Sequence, residues 1–135
     1  MRSTLTEAER EFVRWSRVAR VATLGPGGPH VVPISPVLDG DAIVFATEEA
    51  TAKVRNVRSD SRVSLVFDDY VEEWNALRQV IVSGTARVVE PGPEWERGRS
   101  LLYAKYLQYE PLATIGEADT VMVHVSIDRV VSSGF

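Results

Sequence analysis

The chain has 135 residues, of which 44% are hydrophobic and 25% charged, and these proportions are typical of one soluble globular domain over residues 1–135. The formal net charge of −4 argues against a nucleic-acid-binding protein that relies on a general basic surface. The absence of cysteine excludes disulfides and thiolate chemistry, and two histidines are too few to indicate a metal site.

The beginning of the chain predicts a capped helix rather than a targeting segment. The first residues, MRSTLTEAEREF, lack the apolar stretch of a signal peptide. No run in the chain reaches the roughly 18 apolar residues of a membrane-spanning helix, so we expect a cytoplasmic protein with no membrane partner. Thr6-Glu7-Ala8-Glu9 fits the S/T-x-x-E capping box.

Short alternating runs and turn residues predict a mainly β, α+β fold. In chain order we predict strands over 18–24, 30–38, 42–46, 62–67, 80–89 and 121–131, and helices over 5–16, 50–58 and 94–109. Pro33 and Pro36 place the second strand at an edge or a bend, and Gly84 indicates a bulge. Six strands joined mostly as hairpins predict an antiparallel sheet or small barrel with an N-terminal helix and two inserted helices.

Residues 47–56, TEEATAKVRN, gather hydroxyl and basic groups where a strand gives way to a helix. A phosphate requires convergent donors, and the free N–H groups of a helix start add to them. Lys53 and Asn56 share one helical face, and Thr51 and Arg55 share another. A solvated helix capped by Thr51 explains the same spacing, and there is no glycine-rich phosphate loop. The spacing alone leaves both interpretations open.

An ordered set of motifs lies within residues 20–69: PHVVPI, DG, FAT, TAKVRN and RVSLVF. This set resembles the pyridoxamine 5′-phosphate oxidase-like family of flavin-binding split β-barrels. The later motifs VSGTARVVE, YAKYLQY and RVVSSGF resemble one branch of it, the probable coenzyme F420-dependent oxidoreductases. The resemblance covers about residues 5–135. It implies a six-stranded antiparallel split barrel of the FMN-binding type.

The resemblance also implies which residues bind the cofactor. Lys53 matches the family lysine that contacts the cofactor phosphate, and Thr51 matches a hydroxyl residue that also reaches it. Thr47 matches a residue near the tricyclic ring or its ribityl chain. The remaining matched positions are Val32, Pro33, Ile34 and Ser35 along the ring, and Arg55 and Asn56 near the phosphate end or the cofactor tail. Family members are homodimers with two cofactors at the subunit interface, which implies the same assembly here.

The resemblance implies an oxidoreductase that passes hydride from reduced coenzyme F420 to a small organic acceptor. FMN stays open as the cofactor because the same phosphate donors serve both, although arginines at 55, 58 and 62 suit the polyanionic tail of F420. A cofactor carrier without turnover also stays open, because no residue stands out as an acid or base and the catalytic residues are unknown. Ser133 replaces the aromatic residue of the RVVSWG pattern, which implies a wider pocket.

Overall fold

A computed structural model describes residues 2–135, whose strands form one antiparallel sheet. The strands are β1 (Ala19–Gly25), β2 (Gly28–Ile34), β3 (Val37–Asp39), β4 (Ala42–Glu48), β5 (Arg62–Asp69), β6 (Arg78–Val89) and β7 (Thr120–Ser133). The helices are α1 (Glu7–Trp15), α2 (Ala52–Ser59), α3 (Pro93–Lys105) and α4 (Tyr109–Leu112), with a short 3-10 helix over Trp74–Ala76. The strand order is β2-β1-β5-β6-β7-β4-β3, and every neighbouring pair is antiparallel.

The sheet has seven strands and is open, so the prediction of a six-stranded barrel is corrected. Residues 30–38 do not form one strand, because Ser35 and Pro36 separate β2 from β3. Proline lacks an N–H donor and restricts the residue before it, which explains the break. Strands β2 and β3 lie at opposite ends of the sheet. Since three Cα steps span at most roughly 11 Å, the sheet must curl to bring its two edges together at a seam formed by Ser35 and Pro36.

Alternating side chains build a core on each side of the curled sheet. Ile43 and Phe45 point into the main core, which all the long strands and α1 help to form. Val44 points to the opposite face, since neighbouring side chains of a strand alternate, and there it belongs to a second core with Trp95 and Leu102 of α3. Helix α3 therefore covers the outer side of β4, and α1 and α2 border the main core.

Two predictions that depend only on neighbouring residues, the capping box of α1 and the bulge at Gly84, are confirmed. The capping box is present, because Glu9 N donates to Thr6 Oγ1 at 3.2 Å and Thr6 N donates to Glu9 Oε1 at 2.8 Å. The bulge is also present, as a register shift between Ser83 and Gly84. A Cβ at position 84 would lie 2.6 Å from a backbone oxygen of β7, so this close approach requires glycine.

The helix predicted over 94–109 is shorter than expected. Helix α3 ends at Lys105, and Tyr109–Leu112 forms a separate single turn. Tyr106 leaves the helical path and is buried, with Oη 2.8 Å from Pro36 O and 3.0 Å from Arg17 O. Among residues 2–135, no helix has both the length and the hydropathy needed to cross a membrane.

Candidate functional site

The corner where β4 gives way to α2 brings together three of the predicted residues. Thr47 Oγ1 and Thr51 Oγ1 lie 3.5 Å apart, and Thr51 Oγ1 donates to Glu48 O at 3.0 Å. Thr51 occupies the N-cap position of α2, but its side chain makes no capping hydrogen bond. Of the two interpretations left open by the spacing, the one in which the Thr51 hydroxyl caps the helix is therefore not supported. The first N–H groups of α2 are left for an external acceptor such as a phosphate.

Lys53 is a half-buried cation in the first turn of α2. Burial lowers the pKa of its ammonium group, and the nearby Glu48 opposes that shift without forming an ion pair with it. Desolvation disfavours the charged form of a lysine unless an anion comes close. We refer to the hydroxyls of Thr47 and Thr51, the Lys53 ammonium and the start of α2 as the anion corner.

Asn56 lies beneath α2 rather than on its exposed side. Its side chain is 7% exposed, and Nδ2 donates to Oγ1 of the buried Thr23 at 3.0 Å. A Cβ at Gly25 would lie 2.6 Å from Asn56 Oδ1, so glycine allows β1 to approach the helix. Asn56 thus anchors α2 on β1, whereas Arg55 is exposed to solvent. On the helical face predicted to be shared by Lys53 and Asn56, Lys53 lies at the anion corner and Asn56 contacts the sheet.

The arginines expected to bind a polyanionic tail differ in their surroundings. Arg58 pairs with Glu49 and lies 3.6 Å from Glu90, and Arg62 pairs with Asp60 at 2.6 Å. Arg55 forms no ion pair within residues 2–135. Two of the three positive charges are therefore already compensated by neighbouring carboxylates.

The residues predicted to lie along the ring sit at the free edge of the sheet. Strand β2 pairs only with β1, so the polar backbone groups on its other edge have no strand partner. Val32 and Ile34 pack towards the main core, whereas Pro33 is exposed. Ser35 follows at the seam and lines a cleft of about 220 Å³.

Helix α4 connects the Ser35 and Thr47 regions, which the sequence did not reveal. Tyr109 and Ala113 line the cleft beside Ser35, and both also line a second cleft of about 250 Å³ beside Thr47. In the sequence, the motif YAKYLQY was the only signal that included Tyr109. Burial raises the pKa of the Tyr109 hydroxyl.

Other candidate residues form no recognisable catalytic group. The Nδ1 atoms of His30 and His124 are buried without a hydrogen-bond partner within the described chain. Residues 2–135 contain no cluster of three histidine or acidic side chains suited to a metal ion. At the end of β5, Asp68 pairs with Arg20 and Asp69 pairs with Arg78. These contacts account for the two carboxylates as surface ion pairs.

The sequence profile of the pyridoxamine 5′-phosphate oxidase family matches residues 5–133, nearly the whole chain. The chain belongs to the pyridoxamine 5′-phosphate oxidase family. No curated protein matches the sequence significantly. Membership in this family confirms the resemblance found in the motifs, and it leaves the cofactor and the reaction to be argued from the site.

Solved structures share the fold of this family member. A conserved hypothetical protein, Rv2991 from Mycobacterium tuberculosis, has 28% identity and a TM-score of 0.83, with 96% of this chain and 84% of that chain covered. The heme storage protein HutZ from Vibrio cholerae has 16% identity and a TM-score of 0.78, with 95% and 94% covered. A protein named F420 reductase has 23% identity and a TM-score of 0.74, with 94% and 98% covered. The last two demonstrate a shared fold, and that fold serves more than one cofactor.

Proposed function

We propose that this protein is an oxidoreductase that binds coenzyme F420 and passes hydride to a small organic acceptor, with FMN as the alternative cofactor. The anion corner carries the proposal, because a half-buried ammonium and an uncapped helix start lie at one place. Both cofactors carry a phosphate group, and charge-assisted hydrogen bonds to phosphate are among the stronger polar contacts in proteins. The donor set therefore fits the phosphate of either cofactor.

The neighbouring elements supply surfaces for the rest of the cofactor. Lys53 and Thr51 would hold the phosphate, and Thr47, one residue before the end of β4, would contact the ribityl chain. The free edge of β2 over residues 32–35 offers backbone groups to the polar rim of a ring. Asn56 acts through the helix, since it fixes α2 on β1 and so positions the Lys53 ammonium.

The chain contributes positioning rather than acid–base chemistry. Bound F420 or FMN would supply the hydride transfer itself. The protein orients the ring along β2 and limits the access of water to it. The residues of the anion corner include no paired acid and base. A cofactor carrier without turnover is therefore the second candidate function.

The charges around α2 bear on the choice between F420 and FMN. The tail of F420 is polyanionic, and Arg55 is free to meet it. Arg58 pairs with Glu49, but both side chains are more than 40% exposed. Surface ion pairs of this kind contribute only about 0–1 kcal/mol, so an anionic tail can recruit Arg58 as well. These two cations, together with the shared fold of an F420 reductase, favour F420.

We also propose that two copies associate through the outer face of the sheet and bind the cofactor at their interface. Val66, Ile81 and Val131 pair in register across β5, β6 and β7, so their side chains lie in one row. Val131 is 49% exposed, and Val31 on β2 is 64% exposed. We call these four valine and isoleucine side chains the outer apolar face. A second copy with the same face would remove them from water.

Titration of the purified protein with F420 and with FMN tests the proposed function. Quenching of F420 fluorescence with saturation, and weaker binding of FMN, supports the F420 assignment. Lys53→Met should lower the affinity for both cofactors at least about tenfold, since a charge-assisted hydrogen bond contributes about 1.5–3 kcal/mol. Arg55→Ala should weaken only F420, because FMN has no anionic tail. Failure of both cofactors to bind would reject the proposal, and binding without reduction of any acceptor would favour the carrier.

A further inference from the structure

A groove of about 340 Å³ lies between α1 and α3, away from the anion corner. Val37 and Leu101 give it an apolar floor, and Trp15, which is 75% exposed, stands at its side. Arg17 and Lys105 also line it. The volume is at the lower end of the range typical of small-molecule sites, and its lining combines apolar surface with positive charge.

Two cations that line this groove both lie against the ring of Tyr106. The Arg17 guanidinium lies 4.5 Å from the ring centroid, and the Lys105 ammonium lies 5.2 Å from it. Lys105 Nζ donates to Pro36 O at 2.8 Å, and Arg17 donates to Lys105 O at 2.9 Å. Neither cation forms an ion pair with a carboxylate within residues 2–135.

These contacts with carbonyl groups do not neutralise either cation. An ammonium has three donors and a guanidinium has five, so each keeps free N–H groups. Burial, together with the charge of Arg17, lowers the pKa of Lys105 to about 8. An anion that contacts both the exposed Arg17 guanidinium and the half-buried Lys105 ammonium stabilises these two like charges.

We propose that the groove binds a small carboxylate with an aromatic or other apolar body. The carboxylate lies between Lys105 and Arg17, and the body rests on Val37 and Leu101 beside the Trp15 ring. Lys105 and Arg17 both donate hydrogen bonds to the carboxylate. These charge-assisted hydrogen bonds are stronger than the hydrogen bonds that the same cations would donate to a neutral amide. The site does not depend on the proposed function, since none of the residues of the anion corner lines this groove.

The experiment is isothermal titration of the cofactor-free full chain with indole-3-acetate and with its neutral analogue indole-3-acetamide. The acid should bind, and the amide should bind at least about tenfold more weakly. Affinity for the acid should fall as the pH rises from 7 to 9, because Lys105, with a pKa of about 8, loses its proton over that interval. Equal affinity for acid and amide, or no binding of the acid, would overturn the proposal.

Substitutions separate ligand binding from a structural role for the same residues. Lys105→Met should lose at least about tenfold in affinity for the acid, and Lys105→Arg should retain binding without the fall between pH 7 and 9. Arg17→Gln, at an exposed position, provides a second test if Lys105→Met does not fold. Lys53→Met should leave binding of the acid unchanged. Full affinity in either the Lys105→Met or the Arg17→Gln protein would contradict the site.

Discussion

Asn56 Nδ2 donates a hydrogen bond to Thr23 Oγ1 at 3.0 Å, and the two buried side chains join α2 to β1. The helix that presents Lys53 is held to the sheet at this point. Because the bond lies one turn below the anion corner, it sets the height and rotation of the first turn of α2. The position of the candidate phosphate donors thus depends on a contact between residues 33 positions apart in sequence.

Replacing Asn56 by alanine should destabilise the protein. The change removes the donor to the buried Thr23 hydroxyl, and the loss of a buried hydrogen-bond partner costs about 1–3 kcal/mol. Urea denaturation measures the change in the free energy of unfolding. Arg55→Ala, at the exposed neighbouring position, is the control and should stay within about 0.5 kcal/mol of wild type. Equal effects of the two substitutions would refute the anchoring role of Asn56.

Cofactor affinity should depend on pH through Lys53. Burial lowers the pKa of this lysine, so in the free protein it loses its charge at a lower pH than an ordinary lysine does. Phosphate binding favours the protonated form, and affinity therefore falls as the pH rises through that lowered pKa. Titrations with FMN at several pH values between 7 and 10 measure how steeply the affinity falls with pH. Lys53→Arg is the control, because arginine stays charged and should give a flat profile. Parallel profiles for the two proteins would exclude Lys53 as the titrating group.

Acid stability should depend on Glu9, which is 1% exposed. Its hydrogen-bonded partner Arg2, together with Ser132 and the Thr6 backbone, lowers the pKa of the Glu9 carboxyl group to about 2. A depressed folded-state pKa stabilises the protein above the unfolded value of about 4.5, and this stabilisation is lost as the pH falls through about 2. Glu9→Gln should therefore lower the free energy of unfolding by about 1–3 kcal/mol at pH 7.

The difference in the free energy of unfolding between wild type and Glu9→Gln should shrink as the pH falls from 4.5 to 2. Thermal or urea unfolding at several pH values measures this difference. Glu11→Gln is a matched control on the same helix, since both contacts of Glu11, an ion pair with Arg14 and a hydrogen bond from Trp15 Nε1, are exposed. A constant difference across this pH range would show that the carboxyl charge of Glu9 is not responsible.

Association of two copies should depend on the outer apolar face. Val131→Glu places a charge at the β7 end of the row with Val66 and Ile81, and an unpaired desolvated carboxylate costs several kcal/mol. Light scattering coupled to size exclusion should give a dimer for wild type and a monomer for this variant. Leu107→Glu is the control, because Leu107 is 78% exposed and lies outside that row. A monomeric wild type, or a dimeric Val131→Glu protein, would contradict the proposed interface.

Features determined by neighbouring residues were predictable from the sequence. The Thr6–Glu9 capping box joins residues three positions apart, and the Gly84 bulge follows from glycine within a long strand. The motifs likewise brought Thr47, Thr51 and Lys53 to one corner. Each of these signals lies within a few residues of the structure that it specifies.

Features that depend on distant contacts were not predictable. The curl of the sheet makes the seam at Ser35 and Pro36, and burial of Tyr106 against that seam ends α3 early. The partner of Asn56 is on β1, so neither helical spacing nor the family resemblance revealed that this side chain is buried between α2 and the sheet. Each of these features depends on a contact that forms only once the sheet has folded.

The most direct test of the central claim is a crystal structure of the protein grown with F420 or FMN. Our account predicts a phosphate oxygen within about 2.7–3.2 Å of both Lys53 Nζ and Thr51 Oγ1, with the ring along residues 32–35. A cofactor whose phosphate lies elsewhere, with Lys53 turned towards solvent or Glu48, would contradict it.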